Sequence, residues 1–279
     1  VSGGVSQQKK LDTIANNLAN VDTTGFKKDD VVFREYLTAL ENPEKEVIDI
    51  PRKEFELKDF YHHHGNDKSL VKTDGTYTKF KQGALKQTGN PLDLAIEGNG
   101  FLEVLSPQGV RYSRQGDLKL SQGGVLVNKD GFPVLSKIDP AIFQQEGLTE
   151  EEQQALAEAF APENRTIELG RNARVKIGPE GRIFKNGQQL AELSLIEFTE
   201  NAALRKEGHG LFLNLNEANI SREPSGSRIH QGYLETSNVN PILEMTNLIK
   251  TQRLYENANK AIQSYNNMEQ QAIQLGKIY

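Results

Sequence analysis

The sequence predicts an α+β fold in which long N- and C-terminal helices pair as a coiled-coil-like axial domain. Between them it predicts a central antiparallel all-β domain that carries a short helical insertion. Three observations predict this. Apolar residues recur at a 3-4 spacing near the start of the chain, the same rhythm returns over its last stretch, and the region between has short apolar runs broken by turn-forming residues.

Leu11, Ile14, Leu18 and Val21 draw one narrow apolar stripe along a helix, the pattern of a coiled-coil seam. At the other end the stripe runs through Met245, Leu248, Tyr255, Ala258, Ile262, Tyr265, Met268, Ala272 and Leu275, with Gln252 as a polar interruption. Ser237, Asn238 and Asn240 are good N-caps, and Pro241 suits a first helical turn because its missing N–H is not needed there. The helix is therefore expected to begin near residue 240 and run almost to Tyr279, about 57 Å at roughly 1.5 Å per residue.

From Thr76 to about Gln231 the texture is that of strands: Asp93 to Ile96, Phe101 to Leu105, Val125 to Val127, Phe132 to Leu135, Arg174 to Ile177, Leu193 to Phe198 and Leu211 to Leu215. Turn signals separate them at Gly98-Asn99-Gly100, Gly123-Gly124, Asp130-Gly131, Pro179-Glu180-Gly181 and Asn186-Gly187. The last is a strong two-residue hairpin signal. Thr149 followed by Glu152 forms a capping box ahead of an alanine-rich run to Phe160, so one short helix is expected in the insertion of about 140–162. Residues 27–75, rich in charge, read as an extended connector partly paired as strands. The domains are then 1–26 with 236–279, the connector 27–75, and the β domain 76–235.

Composition narrows function. A chain of 279 residues can bury a substantial core without crosslinks, and the absence of cysteine removes disulfides, thiolate metal sites and cysteine nucleophiles. With a net charge of -5 and lysines spread along the whole chain, there is no basic surface for a phosphate backbone, so nucleic acid is not an expected partner. No run approaches the roughly 20 apolar residues that cross a bilayer, and the start of the chain lacks the pattern of a cleavable signal peptide.

Chemistry-bearing motifs are weak. His62-His63-His64, between Asp59 and Asp67, cannot all face one ion from an extended segment, because successive side chains alternate in direction. An exposed loop or a partner contact is the reading for it. Gly98-Asn99-Gly100 lacks the third glycine and following helix of a dinucleotide loop. None of the 38 Asp and Glu residues stands in apolar surroundings that would raise its pKa, and no small-molecule substrate or cofactor is indicated.

A short lone helix is marginal in water, and a long one with an apolar stripe must bury that stripe. The two ends cover each other only in part, so further copies of the chain are the natural cover. Between Ser237 and Tyr279 there are 12 Asn or Gln residues against seven charged ones, which suits sideways amide bonding between identical neighbours without like-charge repulsion.

The stretch Leu11-Asp12-Thr13-Ile14-Ala15-Asn16-Asn17-Leu18-Ala19-Asn20-Val21-Asp22-Thr23-Thr24-Gly25-Phe26-Lys27 resembles the N-terminal signature of the flagellar axial proteins, the rod and hook group. Gly83 to Phe101, Tyr112 to Gly116 and Asn128 to Gly131 look like that family's β domain, and Gly232 to Pro241 with Thr251 to Glu256 are similar to its C-terminal helix. The resemblance touches most of the chain. It implies a non-enzymatic structural subunit of the basal-body rod, exported unfolded through the flagellar type III apparatus without a cleavable signal peptide. Such subunits build a hollow helical tube, terminal helices inside and β domains outside, within the periplasmic space.

The partners implied are copies of this chain, related rod proteins, the export apparatus and the surrounding ring proteins. The length and the Ser237-Asn238-Val239-Asn240 block look like a rod subunit rather than a hook subunit. The connector from Val31 to Lys79 and the insertion point to the proximal rod, with the distal rod as the alternative. The expected assembly interface is Leu11, Ile14, Asn16, Asn17, Leu18, Asn20 and Val21 at one end. At the other it is Met245, Leu248, Tyr255, Ala258, Ile262, Tyr265, Met268 and Leu275. Aspartate at Ile14 or Leu18 is expected to block assembly while leaving the β domain folded. A rival reading is an extracellular β-domain binding module with oligomerisation helices, which would keep its ligand after deletion of residues 1–26.

Overall fold

A computed structural model describes residues 2–38, 68–138, 161–170, 175–221 and 226–276. The helix expected over Thr149 to Phe160 and the His62-His63-His64 cluster lie outside the described residues. The chain divides into two compact units. One comprises Asn16–Asp29 with Thr78–Glu244, the other Val1–Ala15, Asp30–Tyr77 and Met245–Tyr279. The architecture is α+β, an N-terminal helix and a C-terminal helix enclosing in sequence an antiparallel β region.

Helix α1 spans Ser2–Ala19. It stops where Asn20 N–H is shared between the carbonyls of Asn16 and Asn17, both at 3.2 Å, and the chain continues through tight turns to Gly25. Val21, read from the sequence as a member of the helical stripe, therefore sits in the turn beyond the helix. Helix α2 spans Pro241–Gly276, 36 residues, close to the expected start and length. Asn240 caps it, its Oδ1 accepting the Leu243 N–H at 3.2 Å, and Glu244 supplies a carboxylate in the first turn, where the helix dipole favours negative charge.

Strands β1 (Asp29–Thr38) and β2 (Lys68–Thr78) form a two-stranded ribbon, so part of the charged connector is indeed paired as strands. In the β unit, β3 is Leu85–Gln87, β4 Leu94–Glu97, β5 Phe101–Ser106, β6 Gly109–Ser113, β7 Lys119–Leu120 and β8 Leu126–Val127. There follow β9 (Val175–Ile177), β10 (Arg182–Lys185), β11 (Gln188–Glu192), β12 (Leu195–Phe198), β13 (Arg205–Gly208), β14 (Leu211–Leu213) and β15 (Ile220–Ser221). The last two are β16 (Arg228–Gln231) and β17 (Tyr233–Glu235).

The largest sheet has the order β13-β14-β6-β5-β12-β15, with every pair antiparallel. Its central strand β5 is buried on both faces. Leu102 and Val104 enter the main aliphatic core with Leu94, Leu126, Ile183 and Ile229. Phe101, pointing the other way, enters an aromatic cluster with Tyr112, Phe198 and Phe212. The rings meet edge to face, Tyr112 and Phe198 at 4.8 Å and 85°, Phe101 and Phe198 at 5.3 Å and 68°. Glu103, between these apolar residues, is made tolerable by Arg165 and by the Ser194 hydroxyl, which donates to its Oε2 at 2.6 Å.

The hairpin predicted at Asn186-Gly187 forms between β10 and β11, with Lys185 opposite Gln188. Both turn residues take positive φ, 52° and 89°, the type I′ requirement that selects asparagine and glycine. The expected strand Phe132 to Leu135 is reduced to single bridges, because its partners change at each step: Val134 faces Val104 and Leu135 faces Thr166. Two late strands return to early ones, β16 beside β4 and β17 beside β3, and so carry the root of α2 back to the first part of the β unit.

Candidate assembly elements and their shared root

Gly25, Phe26 and Lys27, which close the N-terminal signature, are buried in the β unit. Gly25 donates its N–H to the Glu235 carbonyl at 2.8 Å and holds φ at +65°. A Cβ there would stand 2.4 Å from the Arg114 carbonyl oxygen, so the position accepts glycine alone without rearrangement.

Next to it Lys27 Nζ lies 2.6 Å from Glu235 Oε1, each side chain 1% exposed, and donates also to the Lys81 carbonyl at 3.0 Å. Gly83 N–H donates to the same Glu235 oxygen at 2.8 Å. Arg114 Nε is 3.4 Å from Glu235 Oε2, and the Arg114 guanidinium donates to the Gly98 carbonyl. Two cations thus share one buried carboxylate. Burial first, then the neighbouring Arg114 charge, lowers the Lys27 pKa from its ordinary value to about 8, with Glu235 opposing the change.

The following residues continue the pattern. Lys28 Nζ reaches Glu244 Oε1 at 2.5 Å, and Lys28 N–H donates to Asn238 Oδ1 at 2.8 Å. Asn238 in turn donates to the carbonyls of Lys79 and Lys81. Asp29 accepts from Thr78 Oγ1 at 2.7 Å and pairs with Lys206 at 3.0 Å, while the Lys206 ammonium sits 3.7 Å over the Phe26 ring. Burial lowers the Lys206 pKa as well, against the pull of Asp29.

The residues expected at an assembly interface fall into three groups. Asn17, 1% exposed, is spent inside the chain, donating to the Asp29 carbonyl at 2.8 Å and accepting the Asp29 N–H at 3.0 Å, the pair of hydrogen bonds that a neighbouring strand would make. Asn20 donates to the Asn16 carbonyl and accepts from the Thr23 hydroxyl, and Ile14 is buried at 5% exposure. Leu11, Leu18, Val21, Leu248, Tyr255, Ala258 and Ile262 are half-buried. Asn16, Met245, Tyr265 and Met268 are exposed, the last two at 67% and 58%. The Leu275 side chain lies outside what is described.

Sequence spacing does not reveal the ion pairs at the root, although Lys27, Arg114 and Glu235 stand in the motif segments Leu11 to Lys27, Tyr112 to Gly116 and Gly232 to Pro241. A charged residue in each of three separated motif segments is the available signal. Nothing in local spacing says that positions 208 apart in the chain meet.

The Lys27 shift has a testable consequence. Folding lowers the pKa of this base from 10.5 to about 8, so between those pH values the unfolded chain binds more protons than the folded one. The unfolding free energy must then rise with pH across that window, by up to about 3 kcal/mol, and the contribution is absent below pH 8. Urea unfolding at pH 7 and pH 10 should show the parent gaining stability relative to Lys27→Met as pH rises. A difference that stays constant would remove this account of Lys27.

Residues 1–27 match the family described as flagella basal body rod protein, 95–184 the flagellar hook protein FlgE/F/G D1 domain, and 230–275 the flagellar basal body rod FlgEFG protein C-terminal. The flagellar basal-body rod protein FlgF of Caulobacter vibrioides is 30% identical over 99% of this chain and 97% of its own length. FlgG of Borreliella burgdorferi is 34% identical over 96% of this chain and 93% of its own. FlgG of Buchnera aphidicola subsp. Schizaphis graminum is 30% identical over 97% and 95%. A chain with an antiparallel β region between an N-terminal and a C-terminal helix, matched in these three regions, is a structural protein of the flagellar axis. It belongs to the flagellar basal-body rod protein family: it is a structural subunit of the rod, sits in the basal body and assembles with other rod proteins.

Proposed function

We propose that this chain is a proximal-rod subunit whose terminal helices, residues 1–26 and 236–279, pair as a coiled-coil-like axial domain and build a hollow helical drive shaft. The β domain of 76–235 lies outside the tube and the connector 27–75 joins the two. The observation that carries this reading is the apolar surface left open along α2. Ile242, Met245 and Ile249 recur on one face, Leu254, Tyr265 and Met268 on another, and all six are at least half exposed in the single chain.

Burying an aliphatic side chain contributes roughly 1.5 to 3 kcal/mol, while an exposed charge pair contributes about 0 to 1 kcal/mol, so these faces outweigh surface salt bridges in association. The interface includes the half-buried residues of both helices, completed by neighbouring copies. The work is mechanical and requires no catalysis or cofactor. The other partners are the type III export apparatus, through which the chain reaches the periplasmic space, and the rings around the rod.

Both FlgF and FlgG names occur among the relatives at similar identity. Proximal placement rests on the connector and on the 140–162 insertion. Images of basal bodies from a strain lacking this chain test it. A rod missing from its membrane-proximal part onward is the expected result, and a rod lacking only its outer segment would make the chain a distal subunit.

A further inference from the structure

The root of the two helices is asymmetric, and we infer that it closes in a fixed order: the segment from Tyr233 to Glu244 docks first, and the segment from Gly25 to Asp29 docks only onto it. The inference rests on the fold of the β unit and goes beyond the role of the chain in the rod.

The late segment has supports of its own. β17 pairs with β3, Thr236 N–H donates to the Ala84 carbonyl at 2.9 Å, and Asn238 donates to the carbonyls of Lys79 and Lys81. Its buried carboxylate, Glu235, is met by Gly83 N–H and by Arg114 whether or not Lys27 is present. With the early segment absent, Glu235 still faces one cation, and the charge is balanced.

The early segment also has supports outside the late one, Lys79 N–H donating to the Lys28 carbonyl at 2.8 Å and Thr78 Oγ1 to Asp29 at 2.7 Å, but its buried charge has no anion outside the late one. Gly25 N–H donates to the Glu235 carbonyl, Lys28 N–H to Asn238 Oδ1 and Lys28 Nζ to Glu244, while the Phe26 carbonyl accepts the Asn238 N–H. Without the late segment, Lys27 would enter the site beside Arg114, with the carbonyl of Lys81 but without the carboxylate that compensates both cations. Two like charges buried together without an anion are strongly unfavourable. Lys206 holds the early segment from the other side, pairing with Asp29 at 3.0 Å and donating to the Lys27 carbonyl at 2.7 Å, yet neither contact supplies an anion to the Lys27 ammonium. Because the partners lie 208 and 216 positions apart, docking of the N-terminal root waits on the last part of the chain.

Hydrogen exchange on the full-length protein in low concentrations of urea tests the order. The expected result is that the amides of Gly25, Lys28 and Asp29 open with protection about tenfold or more below those of Thr88 and Thr236. Opening of both groups together, or of the late segment first, overturns the inference. In Glu235→Gln the early amides should lose protection by about 100-fold or more while β5 and β6 stay protected. Unchanged protection at Gly25 and Lys28 in that variant also overturns it. Should Glu235→Gln unfold the whole β unit, the parent's own exchange order still decides the matter, since it needs no substitution.

Discussion

Gly25→Ala is expected to lower the unfolding free energy of the β unit by about 3 to 5 kcal/mol. A left-handed backbone carrying a Cβ costs about 1 to 2 kcal/mol, and crowding a packed site adds about 1 to 3. Here the crowding is against backbone, the Arg114 carbonyl at 2.4 Å and the Gln115 nitrogen at 2.8 Å, which cannot swing away as a side chain would. Gly187→Ala is the control, because Gly187 also has positive φ, at 89°, yet nothing lies within 4 Å of its Cβ position. It should lose only the backbone part. Urea unfolding of both variants checks the pair, and equal losses would mean that the approach to Arg114 costs little.

The second large effect is on assembly. Tyr265→Asp combined with Met268→Asp should leave the unfolding transition of the purified chain within about 0.5 kcal/mol of the parent, since both side chains are mostly exposed. In cells the same chain should fail to enter the rod, and motility should be lost, because each substitution places a carboxylate where apolar surface is to be buried. Normal swimming with a complete rod would exclude this face from the interface. Ile14→Asp, expected from the stripe alone to separate folding from assembly, does not do so. Ile14 is already buried within the single chain, so the charge would weaken the subunit before any neighbour is met. Deletion of residues 1–26 has the same defect, because it removes Gly25 and Phe26 from the β unit together with the helix.

The α2 stripe shows how far sequence spacing carries. Among the covered positions of α2, Glu244, Leu248, Thr251, Tyr255 and Ile262 keep a seven-residue spacing; Met245 lies off their face, and from Gln263 to Ile273 every residue is exposed, Tyr265 and Met268 among them. At the N-terminal end, Asn16, Asn17 and Asn20 look alike in sequence. Only the fold turns Asn17 inward to serve as a substitute strand edge for Asp29.

What the sequence determined by itself was local: a helix start near residue 240 with Pro241 in its first turn, the two-residue hairpin at Asn186-Gly187, and the short-strand texture of the middle. These follow from the dihedral preferences and hydrogen-bonding reach of a few adjacent residues, which read the same in any surroundings. The order β13-β14-β6-β5-β12-β15, the burial of β5 on both faces and the meeting of Lys27, Arg114 and Glu235 were decided by tertiary structure. A charged side chain becomes a buried partner only when distant segments exclude water from it together. That exclusion belongs to the packed β unit and to no segment of the chain alone.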